Sequence, residues 1–255
     1  MQPNPFDLTA KKALVTGAGR GIGRACALAL AKAGADVGLV ARTRPELESV
    51  AGEIAALGRR AFVRPQDVTR VDQLPELMAD ASAHLGGIDI LVNNAGMNIP
   101  QEALEVTPEA WDRVMDLNLR AAFFTAQAAG RLMVNQGRGG RIINLTSQTG
   151  TVGLVKRAAY CASKAALNLV TKVMALEWAR HGILVNAVAP TFIETDFSRG
   201  FLSDPDFRAY ALSKNLLKRF GTPEDVTGAV IYLASPAAAL VTGHILFVDA
   251  GWTAH

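Results

Sequence analysis

Seven short apolar runs, each followed or separated by helix-forming sequence, constrain this chain most. They are Lys12–Thr16, Asp36–Ala41, Ala61–Pro65, Asp89–Asn93, Arg141–Thr146, Ile183–Val188 and Ile245–Asp249. Short Val/Leu/Ile runs that alternate with helices imply a parallel sheet covered on both faces. Right-handed crossovers follow from the twist of the strands. Helix signals fill the gaps. Gly34 closes an Ala/Leu-rich first helix, and Thr43 and Gly58 bracket the second. Thr107 caps a long helix with Pro108 at its first position, and Thr222-Pro-Glu-Asp opens a late one.

The 255 residues, half of them hydrophobic, suit one domain spanning 1–255. Residues 1–11 read as a loose lead-in. No stretch reaches the ~20 apolar residues of a membrane span, and the N-terminus shows no secretory pattern. Cys26 and Cys161 fall in predicted helices, which fits a reduced, cytoplasmic setting. Cys161 adjoins Tyr160, but a buried inert thiol is its simplest reading. The four histidines have no metal-ligand spacing, so no metal is expected. A net charge of +3 without a basic cluster gives no support to nucleic-acid binding.

Two stretches carry chemistry. The first follows strand one: Thr16-Gly17-Ala-Gly19-Arg20-Gly21-Ile22-Gly23, leading into a helix. Glycines at such a turn let backbone approach a pyrophosphate, and the free N–H groups of the helix start attract it. The second runs from Asn144 to Lys164. Ser147 ends a strand, while Tyr160 and Lys164 lie four apart on one helix face. A phenol can give a proton to a carbonyl oxygen gaining charge, a neighbouring ammonium lowers its pKa, and a hydroxyl can steady the same oxygen. Tyr-x-x-x-Lys alone also arises by chance on many helices.

Together these motifs resemble the short-chain dehydrogenase/reductase family over essentially the whole chain. That resemblance implies a single-domain, Rossmann-type, doubly wound seven-stranded sheet. It implies that Gly17, Gly19, Arg20, Gly21, Ile22 and Gly23 meet the cofactor. Asp67 and Val68 match its adenine-contacting pair, and Asn94, Ala95 and Gly96 the motif supporting the central sheet. Pro190, Ile193 and Thr195 match the segment meeting the nicotinamide amide. Asn118, Ser147, Tyr160 and Lys164 match the catalytic tetrad. In it Ser147 orients a carbonyl and Tyr160 is acid or base. Lys164 lowers the Tyr160 pKa and holds the ribose, and Asn118 holds a relay water. Thr191 stands where the family has Gly, and Thr does not easily adopt backbone angles open to Gly. The C-terminal run from Val241 to Trp252 resembles 3-oxoacyl-carrier-protein reductases and sugar or gluconate dehydrogenases. Members of this length are usually homotetramers, and the small residues Ala159, Ala162, Ala165 and Ala166 allow close helix pairing.

The expected activity is hydride exchange between NADP(H) and a ketone or secondary alcohol. An NAD(H)-dependent sugar or gluconate dehydrogenase and a catalytically silent dinucleotide binder are the alternatives. NADP(H) is preferred because Ala41 ends the second strand where an acidic residue would hold a free ribose hydroxyl. Arg42 and Arg20 can hold a phosphate there; NAD(H) remains possible. Lys156, Arg157 and Arg199 could meet a carboxylate or phosphate near the site, although solvated surface charge is the preferred reading for such residues. Residues 191–219 break the alternation and carry Phe192, Phe197, Phe201, Phe207 and Tyr210. Such a segment either covers a ligand or packs as a surface helix pair.

Overall fold

A computed structural model describes residues 4–254. All seven strands pair parallel in one sheet of order β3-β2-β1-β4-β5-β6-β7. The strands are β1 (Lys12–Thr16), β2 (Asp36–Ala41), β3 (Ala61–Pro65), β4 (Ile90–Asn93), β5 (Gly140–Leu145), β6 (Ile183–Pro190) and β7 (Ile245–Val248). The chain works outward from β1 to β3, then returns to pair β4 against the other side of β1. That reversal opens a crevice at the carboxyl ends of β1 and β4, where ligands of open α/β sheets bind.

Two apolar layers enclose the sheet. On one face lie α1 (Gly21–Lys32), α2 (Arg44–Ala56) and α9 (Pro223–Ala234), around Leu30, Val50, Ile54 and Val230. On the other lie α3 (Leu74–Leu85), α5 (Ala122–Gln136) and α6 (Ala158–Trp178), around Leu77, Met133 and Met174. The central strands are buried on both faces, so their sequences are continuously apolar rather than alternating. A third cluster of Phe192, Leu202, Ala211, Phe220 and Trp252 stands apart from the sheet.

Local details sharpen the sequence reading. The lead-in is anchored: Leu8 is fully buried and its N–H donates to the Ala33 carbonyl at 2.8 Å. Met1–Pro3 lie outside the described residues. Thr107 does cap α4 (Pro108–Met115), accepting from the Ala110 N–H, whereas Thr43 starts α2 without a side-chain cap. Thr222 and Asp225 form a capping box on α9. The long helix beginning at Pro108 is not uniform. Residues Asp116–Ala121 widen into a π-helical turn between α4 and α5, a deformation associated with functional sites. The segment after β6 forms two short helices, α7 (Asp196–Leu202) and α8 (Pro205–Lys214).

Candidate active site

The glycine turn is built by close approach. Gly17 has φ +64°, and a Cβ there would lie 2.8 Å from Asn94 Nδ2. A Cβ on Gly23 would collide with the Gly17 carbonyl. The turn is tied to the end of β4 by four hydrogen bonds. Thr16 Oγ1 accepts from the Asn94 and Ala95 N–H groups at 3.0 and 3.1 Å. Asn94 Nδ2 donates to the Thr16 and Gly17 carbonyls at 3.0 and 3.2 Å. Helix α1 starts with no side-chain cap and no acidic residue in its first turn. Its amide dipole is thereby left for an anion.

Beside it runs a cavity of about 720 Å³, the size of a cofactor site. Gly17, Gly19, Arg20, Gly21, Ile22, Ala41, Arg42, Asp67, Val68, Asn94, Ala95, Gly96, Ser147, Tyr160, Lys164, Pro190, Ile193 and Thr195 all line it. Gly23 and Asn118 do not; both act from behind the wall. Three buried polar groups on that wall have no partner among the described residues: the Gln66 amide, Thr191 Oγ1 and Asn98 Oδ1. An unsatisfied buried polar group is costly. The glycine cradle, the uncapped α1 start and these orphans fit a dinucleotide laid across the crevice. Thr191 brings no backbone strain, since its φ is not positive, and its N–H donates to the Val248 carbonyl at 3.1 Å.

At the other end the chemistry-bearing side chains converge. Ser147 Oγ accepts from the Thr149 N–H at 3.2 Å and the Thr149 hydroxyl at 2.9 Å. These bonds fix its rotamer. Tyr160 and Lys164 occupy the first turns of α6, with Lys164 Nζ 5.7 Å from the Tyr160 ring centroid. The ammonium donates to the Leu145 carbonyl at 2.8 Å, tying α6 to the end of β5. Burial pulls the Lys164 pKa down to about 8. Burial also pushes the Tyr160 phenol up to about 12, against the opposing pull of the Ser147 hydroxyl and Arg157. The groups that pull the phenol down are Ser147 and Arg157, where the sequence pointed to Lys164.

Asn118 lies in the π-helical turn and is buried. Its Oδ1 accepts from the Met97 N–H at 2.8 Å, and its Nδ2 donates to the Met97 carbonyl at 2.8 Å and Ser163 Oγ at 3.1 Å. Its amide clamps the loop after β4 to α6. The extra residue in the widened turn explains why Asn118 interrupts the helical pattern.

The three cations expected at the surface divide. Lys156 pairs with Glu102 at 3.4 Å and Arg199 with Asp196 at 2.5 Å, both exposed. Arg157 follows the other reading, a cation near the site: it is 6% exposed, lines the cavity and stacks 5.1 Å over the Phe201 ring. A charge count along the sequence cannot see this, because Phe201 arrives from a segment 44 residues later. Glu46, Gln66 and Gln148 also line the cavity and had no motif to mark them, whereas Phe197 and Phe201 come from the aromatic segment after β6. Phe197 reaches within 6.5 Å of the Tyr160 ring, so α7 covers the site. Among the described residues no group of His, Cys, Asp and Glu is placed to hold a metal.

Residues 17–253 match the family described as Enoyl-(Acyl carrier protein) reductase. A short-chain type dehydrogenase/reductase from Mycobacterium marinum is 43% identical, with a TM-score of 0.94 over 98% of each chain. The chain belongs to the short-chain dehydrogenase/reductase family. It is an oxidoreductase of the alcohol–carbonyl class, and its relatives divide by substrate. The 2-dehydro-3-deoxy-D-gluconate 5-dehydrogenase of Escherichia coli is 40% identical, covering 98% of each chain. A gluconate 5-dehydrogenase from Burkholderia cenocepacia, in complex with NADP and tartrate, is 36% identical. Its TM-score is 0.95 over 98% of each chain. A 3-oxoacyl-[acyl-carrier-protein] reductase from Synechocystis is 41% identical over 96% of this chain and 97% of its own.

Proposed function

We propose that this protein is an NADP(H)-dependent oxidoreductase interconverting a ketone and a secondary alcohol at Ser147 and Tyr160. The convergence of Ser147, Tyr160 and Lys164 on the same cavity as the glycine turn carries this reading. Bound there, the dinucleotide supplies or accepts hydride. The turn from Gly17 to Gly23 and the α1 start hold its pyrophosphate, Asp67 and Val68 border its adenine, and Ile193 and Thr195 meet its amide. Ser147 donates to the substrate oxygen, Tyr160 delivers or removes the proton there, and Lys164 holds the ribose and favours the phenolate. Asn118 positions the loop between them. Residues 191–219 cover the substrate.

The phosphate preference rests on the corner where β2 ends. Arg20 and Arg42 face the cavity there, and among the described residues neither is engaged in a salt bridge. Arg44, by contrast, turns to Glu48. Glu46 lines the same corner and opposes a second negative charge. The test is consumption of NADPH or NADH against a panel of ketones, with Tyr160→Phe as control. Turnover with no carbonyl or alcohol, or Tyr160→Phe as active as wild type, would overturn the reading.

Assembly fits the same reading. On α6, Ala158, Ala162, Ala165, Leu169, Lys172 and Leu176 recur at intervals of three and four, and Leu169 and Leu176 are 64% and 82% exposed. Such spacing is a helix-pairing seam. Ala159 faces inward instead. The edge strand β7 is half-exposed beside it. Light scattering should give a multiple of the 27.0 kDa chain mass, four-fold for a tetramer.

A further inference from the structure

Arg157 is placed at a cost that its stacking on Phe201 and one carbonyl bond offset only in part. Its guanidinium is buried, and its protein acceptor is one carbonyl, that of Lys156 at 3.2 Å. The cations flanking it in the fold, Lys156 and Arg199, have Glu102 and Asp196; among the described residues Arg157 has no acidic partner. It is also the N-cap of α6, whose first turn contains no acid. A cation there meets the positive end of the helix dipole. Lys156 before it adopts φ +59°, a strained angle for a side-chain-bearing residue. That turn is pinned by the Gln101 N–H donating to the Lys156 carbonyl at 3.2 Å. Burial and the helix dipole both act against this charge, and both are offset by one thing, an anion beside it.

The anion's place is defined. Arg157 precedes Tyr160 by one helical turn and lies under Phe201 of α7, so it belongs to the substrate end of the cavity. The same cavity is lined by the neutral polar groups of Ser147, Gln148 and Asn98, whose Oδ1 has no partner among the described residues, and by Asp196, whose carboxylate is taken up by Arg199. One guanidinium among hydroxyl and amide groups suits a singly charged, oxygen-rich molecule, held by a bidentate bond. We propose that Arg157 is the specificity residue for the substrate, selecting a short hydroxy- or oxo-carboxylate whose carboxylate it binds while the reacting carbon lies at Ser147 and Tyr160. This rests on the oxidoreductase reading above.

The experiment compares matched probes on wild type, Arg157→Met and Arg157→Lys. The probes are the monocarboxylates gluconate and glycerate, the uncharged polyol glucitol, and a sugar phosphate. Two readouts are taken: NADP-linked turnover and the shift in thermal midpoint on adding each probe at constant ionic strength. Ligand that binds the native state raises the midpoint whether or not it reacts. In wild type a carboxylate probe should raise the midpoint more than glucitol or the phosphate does. Arg157→Met should lose that shift, with kcat/KM for the carboxylate falling about ten- to a hundred-fold, mainly through KM. Its NADPH binding should stay within about three-fold, and its loss on neutral ketones, felt through Tyr160, should be smaller than its loss on the carboxylate. Arg157→Lys should restore part of the effect, since it keeps the charge and loses the fork. A carboxylate shift unchanged in Arg157→Met, equal shifts from glucitol and carboxylates, or a preference for the phosphate would each overturn the proposal. So would equal losses on charged and neutral substrates, which mark a structural role. Absence of turnover on every probe, with the carboxylate shift intact, would instead strike the oxidoreductase reading and leave this one standing.

Discussion

The two ends of the cavity are built by opposite means. At the dinucleotide end, glycine backbone is packed closely and tied by two short side chains: Gly23 lies against Gly17, and Thr16 Oγ1 and Asn94 Nδ2 make four hydrogen bonds to backbone groups at the ends of adjacent strands. At the substrate end, side chains meet side chains from distant segments. Phe192 contacts Phe201, Phe207 and Trp252 with ring centroids 5.4–5.8 Å apart, and Phe201 carries Arg157. The first end tolerates almost no change because no side chain fits. The second is held by packing that can be remade with other residues. This difference accounts for relatives that share one fold and differ in substrate.

The comparison can be broken most sharply at the chemistry itself. Tyr160→Phe should lower kcat by about 10²–10⁴-fold while NADPH binding stays near wild type, because only the transferable proton is removed. Fluorescence titration with NADPH alongside turnover checks it, and loss of both together would mean the phenol also shapes the cofactor end.

Gly23→Ala tests whether the dinucleotide end is as unforgiving as its contacts imply. The added methyl meets the Gly17 carbonyl, so the turn must open. NADPH affinity should fall by at least ten-fold, or the protein should unfold at a lower temperature by several degrees. An Ala variant equal to wild type in both would remove the rigidity argument.

Lys164 lies between the two ends, and its burial sets a pH signature. Its folded pKa of about 8 lies below the unfolded value near 10.5. Between those values the unfolded chain binds more protons, so this side chain makes stability rise with pH from about 8 to 10.5. Below pH 8 the full cost of the buried ammonium is present, on the order of 3 kcal/mol. Tyr160 works the other way above pH 10: its folded pKa near 12 exceeds the unfolded value, so stability falls from pH 10 to 12. Urea unfolding of Lys164→Met across pH 7–10 should show higher stability at pH 7 and a flatter slope. An unchanged slope would show that the ammonium is solvated.

The smallest effects belong to the β2 corner, where charge is exposed and screened. Arg42→Ala should reduce the NADPH/NADH ratio of kcat/KM by about ten-fold. Glu46→Gln should raise that ratio by a few-fold. Opposite signs in the two variants place the phosphate between these residues, and equal signs would move it elsewhere.

The alternation of apolar runs and helices was enough to read the sheet, because strands buried on both faces must be continuously apolar and helical links force them parallel. The glycine turn was legible because a close backbone approach permits one residue type. Tyr160 and Lys164 were legible because helical periodicity fixes their shared face. What sequence left open depended on segments that meet only in space. The π-helical turn at Asn118 is a one-residue change in hydrogen bonding that no residue type demands. Cavity-lining Glu46, Gln66 and Gln148 carried no motif. The Tyr160 pKa is set by burial that the folded core imposes. Arg157 makes the division plainest: its place one turn before Tyr160 was written in the chain, but its burial against Phe201 was decided by where α7 lands. Local bonding rules act over a few residues and can be read from spacing, whereas desolvation depends on everything packed around a group.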